Sequence, residues 1–280
     1  MWSILSTLGL LVLGASVGAL GTLIGAGGGF LLVPILIMFF HVPTDIAAGT
    51  SLFVVLANAA SGAASYARQG RVDYRSGAAF ALATLPGAVL GARVSSLVAG
   101  RPFHILFALL LFAVAARLAV SGIAQPHAAT RERADDRRRG PGWFSWGRVT
   151  RRMAAADETH EWSFSLPLGL GISLVAGFLS SILGIGGGIV HVPALVELLS
   201  YPMHIATATS HFVLAFTALA GVVAHAWQGT LDFRLAVPLG VGAAAGAPVG
   251  AWLSTRLSGS RISALLAVAL AMVAVRLLIP

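Results

Sequence analysis

Gly25-Ala26-Gly27-Gly28-Gly29 follows 24 residues without a charged side chain, and the chain repeats the pattern 159 positions later as Gly184-Ile185-Gly186-Gly187-Gly188. Each occurrence follows one apolar segment and opens a shorter one, with proline at the same place (Pro34, Pro193). Three consecutive glycines provide no side chain to shield or satisfy the backbone, so they favour breaking a helix over continuing it. In hydrocarbon, such a break is tolerated only where the freed backbone is buried in protein or lines a cavity.

The rest of the composition puts both stretches in a membrane. Of 280 residues, 57% are hydrophobic and only 10% charged, with mean hydropathy +0.88, which excludes an ordinary soluble domain. No Asp, Glu, Lys or Arg precedes Asp45, and further uncharged runs cover 46–67, 76–92, 102–116, 162–196, 198–231, 235–255 and 262–275. Several approach or exceed the roughly 20 residues that cross a hydrocarbon core. The net charge of +8 comes entirely from arginine among the cations, and eight of the eighteen arginines fall between 131 and 152. A basic loop between membrane segments reads as a topology determinant facing the cytoplasm, not as a nucleic-acid surface. The chain has no cysteine, which excludes disulfides, thiolate metal sites and cysteine catalysis. The first apolar segment lacks a basic leading region and runs straight into the glycine motif, so it reads as a membrane segment and not as a cleaved signal peptide.

The offset of 159 holds without a gap from Gly25–Leu118 to Gly184–Leu277. It pairs Pro43 with Pro202, Thr50-Ser51 with Thr209-Ser210, Gly62 with Gly221, Gln69-Gly70 with Gln228-Gly229 and Asp73 with Asp232. The chain is a duplication, and we divide it into a first repeat at 1–121, an Arg-rich cytoplasmic linker at 122–160 and a second repeat at 161–280. Helical segments are expected at about 2–24, 28–41, 44–67, 74–97 and 102–121, then 163–183, 187–200, 203–226, 233–256 and 261–279. The second segment of each copy is short for a full crossing, which makes it re-entrant or tilted. The fold class is an all-α polytopic membrane protein of two repeats of about five helical segments, each with a glycine-broken helix. An odd number of crossings per copy turns the copies upside down relative to each other, the inverted-topology plan. The arginines agree: Arg68, Arg71 and Arg75 flank one turn, whereas the counterpart at 227–234 keeps only Arg234. The linker, mixed in charge and turn-rich, is expected to be flexible, with an interfacial stretch at Trp143-Phe144 and Trp146.

Three adjacent glycines that open a helix leave its first N–H groups free and its positive dipole end exposed, which suits an anion. Gly27, Gly28 and Gly29, with Gly186, Gly187 and Gly188, are therefore candidate binding residues. On the following helix of each copy, Thr50, Ser51 and Asn58, and Thr209, Ser210 and His211, are candidates for the same site. Interhelical hydrogen bonding is the competing role for these polar groups. Of the histidines, helix length places only His211 and His191 inside the membrane; each is either a buried donor to a carbonyl or a proton carrier. Glu197 is the acid deepest in an apolar run, near the end of its segment. Asp73 and Asp232 are expected to cap the helices that follow them. No cofactor or metal is expected.

These motifs carry a family resemblance. Gly-x-Gly-Gly-Gly followed by Val-Pro, then Ala-x-Gly-Thr-Ser, Gln-Gly-x-Val-Asp and Pro-Gly-Ala-x-x-Gly resembles the TauE/SafE sulfite-exporter family of membrane permeases. The second copy repeats it with Ile-Gly-Gly-Gly, His-Val-Pro, Thr-Ala-Thr-Ser and Gln-Gly-Thr-Leu-Asp, departing at Ala208 for Gly49 and His211 for Leu52. The resemblance implies a secondary transporter in the bacterial inner membrane. It would export a small anion such as sulfite or an organosulfonate; alternating access is the mechanism expected of the broken-helix repeats, and His211 with His191 are the residues expected to couple it to protons. Its partners are then a small anionic substrate and the lipid bilayer, without nucleic acid and with the oligomeric state open. A passive anion channel is the rival within transport. A membrane-embedded enzyme is the rival from another class, against the lack of any Ser/His/Asp or metal-ligand cluster at useful spacing.

Overall fold

The computed structural model describes residues 4–123, 147–155, 158–254, 271, 274 and 275. Among these the chain forms α1 (Ile4–Ile24), α2 (Gly29–Phe40), α3 (Thr44–Arg68), α4 (Tyr74–Ser95) and α5 (Arg101–Ile123). A hairpin of β1 (Arg148–Ala155) and β2 (Glu158–Ser165) follows, then α6 (Leu166–Leu183), α7 (Gly188–Glu197), α8 (Met203–Trp227) and α9 (Phe233–Leu253). Among the described residues, six helices (α1, α3, α4, α6, α8 and α9) are long and apolar enough to cross a membrane. The protein is an all-α polytopic membrane protein, as its composition requires. The expected last segment at 261–279 and the linker stretch with Trp143, Phe144 and Trp146 lie outside the described residues.

Local chemistry sets the helix boundaries in matched pairs. Pro43 and Pro202, which lack an N–H to leave unpaired, stand at the N-caps of α3 and α8. Asp73 accepts the Ser76 N–H at 3.2 Å and Asp232 accepts the Arg234 N–H at 2.9 Å, so both carboxylates cap their helices as expected. The chain leaves α2 through His41 and α7 through Ser200, both with positive φ. The next N–H groups, of Val42 and Tyr201, then close onto Leu36 and Leu195.

The two copies exchange helices. The first helix of each copy packs on the fourth helix of the other, α1 on α9 and α4 on α6. Glycine stripes allow these close contacts. A methyl group on Gly14 or Gly18 would strike the backbone of Leu239 or Ala243, and one on Gly246 or Gly250 would strike Ala15 or Ala19. Gly87 and Gly91 are pressed in the same way on Leu174 and Phe178. Small residues are what let membrane helices approach, because lipid supplies no hydrophobic drive to join them. These pairs run parallel. The central pair α3 and α8 runs antiparallel: Gly62 lies against His211, and Gly221 against Leu52.

The linker is not featureless. β1 and β2 pair antiparallel from Arg148↔Ser165 to Ala155↔Glu158, and the second repeat's first helix starts at Leu166, not at the expected 163, because residues 158–165 form a strand. Alternation explains the strand: Trp162 and Phe164 point to one face and are buried with Tyr201 and Phe80. Arg151, on the same face, donates from Nε to Ser76 Oγ at 2.9 Å and lies 3.8 Å from Asp73 Oδ2. The hairpin and the 68–75 turn therefore share one side of the molecule.

Candidate binding site between two broken helices

α2 has 12 residues and α7 has 10, about 18 Å and 15 Å, half of a hydrocarbon core. Both start at mid-depth. Gly27 lies against Val55 and Leu214, and Gly186 against Val55, residues at the middle of α3 and α8. The chain turns back sharply at each break, since Gly28 and Gly187 have φ of 83° and 74° and so adopt the left-handed region that glycine enters without a Cβ clash. Gly28 then folds against Val17, and Gly187 against Ala176. α2 and α7 are thus re-entrant half-helices.

The two loops touch. A methyl on Gly29 would collide with the Gly184 carbonyl, and one on Gly188 would lie 2.5 Å from the Gly25 carbonyl oxygen. The contact is reciprocal, as in an isologous interface. A second reciprocal pair holds the turns: Asp232 N–H donates to Thr50 Oγ1 at 3.0 Å, and Asp73 N–H donates to Thr209 Oγ1 at 3.1 Å. α5 closes the side of the loops, packing Phe103, Phe107 and Leu111 over Phe30, Leu183 and Ile185.

The candidate residues divide into two groups. Several are already engaged with the protein. Asn58 donates to Gly27 O at 3.2 Å and accepts from Thr22 Oγ1 at 3.0 Å. Ser51 donates to Gly184 O at 2.8 Å. Thr50 and Thr209 hold the turns just described. Others are left open. Ser210, fully buried, has no partner for its hydroxyl, and buried His191 has none for Nδ1. Both line a buried cavity of about 10 Å³ with Gly186, Gly187, Thr84 and Thr217, room for about one water. His211 faces away from it, against Gly62 and the ring of Tyr66. Glu197 is exposed at the end of α7.

Thr84 and Ser173 were missed by motif reading. Thr84 accepts a hydrogen bond from Thr217 at 2.7 Å, and Ser173 meets His191 Nε2 at 3.2 Å. Their signal was the mismatch between copies. The offset of 159 sets Thr84 against Ala243, Ser173 against Gly14 and His191 against Leu32.

Beyond the membrane helices, Tyr201 donates to Asp73 Oδ2 at 3.0 Å. Burial, and then the Asp73 carboxylate, push its phenol well above the ordinary range.

The family model for "Sulfite exporter TauE/SafE" matches residues 10–277. The chain is 30% identical to "Probable membrane transporter protein YunE" of Bacillus subtilis (strain 168), over 96% of each sequence. It is 28% identical to a "Probable membrane transporter protein" of Xylella fastidiosa (strain 9a5c), covering 89% of this chain and 85% of that one. It is 27% identical to "Probable membrane transporter protein MJ0441" of Methanocaldococcus jannaschii, covering 79% and 73%. No solved structure matches the chain.

Proposed function

The chain belongs to the sulfite exporter TauE/SafE family of membrane transporters, and from that premise we propose that it moves a small anion, such as sulfite or a short organosulfonate, across a bacterial inner membrane. The observation that carries this reading is the meeting of two half-helices at mid-depth, each opening with free N–H groups after a glycine break. A helix start behaves as roughly half a positive charge. Two of them near one point favour an anion without any arginine in the apolar interior. Gly27, Gly28, Gly29, Gly186, Gly187 and Gly188 form the centre of this site, with Ser51, Ser210 and the neighbouring polar groups around it. The site has no carboxylate to attract a cation.

The two copies are read as inverted-topology repeats, supported by the antiparallel course of α3 and α8 and the reciprocal contacts of the loops. The 10 Å³ cavity is too small for an oxyanion, so this conformation is occluded. Opening to either side requires one set of helices to move against the other, as alternating access demands. Proton coupling belongs to the same reading, with His191 and His211 as the buried groups able to carry a proton.

Flux into proteoliposomes tests the proposal. Uptake of radiolabelled sulfite should saturate and be accelerated by sulfite on the opposite side. Flux that rises linearly with concentration and ignores the opposite side would make the protein a passive channel. No flux of any small anion would overturn the reading.

A further inference from the structure

The two breaks look alike in sequence, but their surroundings differ. Beside the first, Leu32, Val17, Val54 and Ala243 fill the space with buried apolar side chains. The same positions beside the second are His191, Ala176, Val213 and Thr84, and a cavity remains there. Gly27 N–H is used by Gly21 O, and Asn58 holds Gly27 O. The counterpart of Asn58 is Thr217, whose hydroxyl bonds to Val213 O and Thr84, leaving the second loop without that tether.

Hydrogen-bond directions at His191 define what the cavity accepts. Ser173 donates its single hydroxyl proton to Gly169 O at 2.7 Å, so its oxygen is an acceptor toward His191 Nε2 at 3.2 Å. A neutral ring therefore carries its proton on Nε2 and leaves a bare lone pair on Nδ1, which has no partner. Phe80 stands edge-on to the ring at 5.8 Å, and no other titratable or charged group lines the cavity. A lone pair repels an oxyanion. It would attract a proton.

Building on the anion reading above, we infer that the ligand site lies on the second copy's side only, at Gly186, Gly187, His191, Ser210 and Thr217, and that it takes a small oxyanion together with one proton held on His191 Nδ1. The proton comes from bulk water on the side from which the anion enters, and an N–H bond forms at Nδ1. The resulting imidazolium donates to the anion, Ser210 supplies a second donor, and the α7 start supplies backbone N–H groups. With a monoanion the loaded site is neutral, so it can cross the occluded state without a buried net charge. The first break then adds the field of its helix start and fixes the loop pair, without touching the ligand itself.

Calorimetry of purified protein, run in two buffers of different ionisation enthalpy, counts protons taken up per bound anion. The probes are sulfite, thiosulfate and methanesulfonate; methanesulfonate stays unprotonated at neutral pH, so any proton it brings belongs to the protein. Wild type should take up about one proton per methanesulfonate. His191→Gln should lose this uptake, and His211→Gln should keep it. Ser173→Ala removes the acceptor that fixes the tautomer while leaving a small buried residue. Nδ1 can then carry the ring's own proton, so anion binding should persist with uptake falling toward zero. If His191→Gln does not fold, Ser173→Ala alone decides. Anion binding by wild type without proton uptake, or uptake undiminished in Ser173→Ala, overturns the inference and leaves the anion reading intact. Failure of all three anions to bind wild type ends the anion reading and this inference with it.

Discussion

Ser51 donates its hydroxyl to the carbonyl of Gly184 at 2.8 Å, so a helix of the first copy holds the loop of the second. The same contact is absent from the other side, where Ser210 keeps its hydroxyl unpaired. The glycine loops themselves meet in both directions, with Gly29 on Gly184 and Gly188 on Gly25. Gly29→Ala and Gly188→Ala should each destabilise the protein, because backbone cannot swing aside as a side chain end can; the cost is about 1–3 kcal/mol. Gly9, exposed and with nothing within 4 Å of an added methyl, provides the control: Gly9→Ala should be neutral or slightly stabilising. Thermal unfolding in detergent checks all three. Equal melting temperatures across the set would mean the loops do not bear on each other.

The absence of native cysteine makes topology directly measurable. Arg68 and Trp227 are exposed and equivalent by the offset of 159, at the last turns of α3 and α8. In the inverted arrangement, Arg68→Cys should react with an impermeant maleimide from one side of the membrane and Trp227→Cys from the other. Labelling from the same side would dismiss inversion.

Asn58 and Ser210 should separate stability from binding. Asn58→Ala strips a donor from Gly27 O and an acceptor from Thr22, both buried, at a cost of about 1–3 kcal/mol. Ser210→Ala removes a hydroxyl that bonds to nothing in the protein, so melting should hold while anion affinity drops several-fold. The opposite pattern would return Ser210 to a packing role.

The hairpin is the part of the linker with a structural task. Trp162 is 5% exposed, and its ring lies 4.9 Å from that of Tyr201, so Trp162→Ala should cost roughly 3–5 kcal/mol in melting experiments. The phenol of Tyr201 is raised above its usual 10.0 by burial first and by Asp73 second. A raised group contributes fully below its unfolded value and loses that contribution as pH climbs beyond it. Stability should therefore decline above pH 10, and Tyr201→Phe should make the decline shallower. An identical pH profile in the variant would show that Tyr201 is not what holds the hairpin down.

Much of the fold was legible because the membrane simplifies the code. Uncharged runs gave the helices, and a gapless offset from Gly25 to Leu277 gave the duplication. Pro34 and Pro193 marked the short helices, but only the positive φ at Gly28 and Gly187 showed that the chain doubles back. The hairpin escaped because arginines dominate the linker composition, while the strand signal rests on a few alternating residues such as Trp162 and Phe164. The site was half legible. Thr50 and Thr209 recur in both copies, yet they brace turns. Thr84 and His191 do not recur, yet they line the cavity beside Ser210, and the unmatched Ser173 holds His191 from behind. Recurrence reports what keeps two halves together, and the unmatched positions report where they have diverged.

The exchange of helices bears on how the protein is made. α1 is synthesised first, but its partner α9 emerges only after most of the chain. Until then the grooved face of α1, with Gly14 and Gly18 waiting for Leu239 and Ala243, has only lipid or the insertion machinery against it. Contacts between segments so far apart in the chain form late, so α9 docks on α1 only after the helices between them have been made. A ribosome stalled before residue 233 would leave a bundle with one wall missing. Co-expression of the missing C-terminal piece should restore that contact, since α9 meets α1 through side-by-side packing.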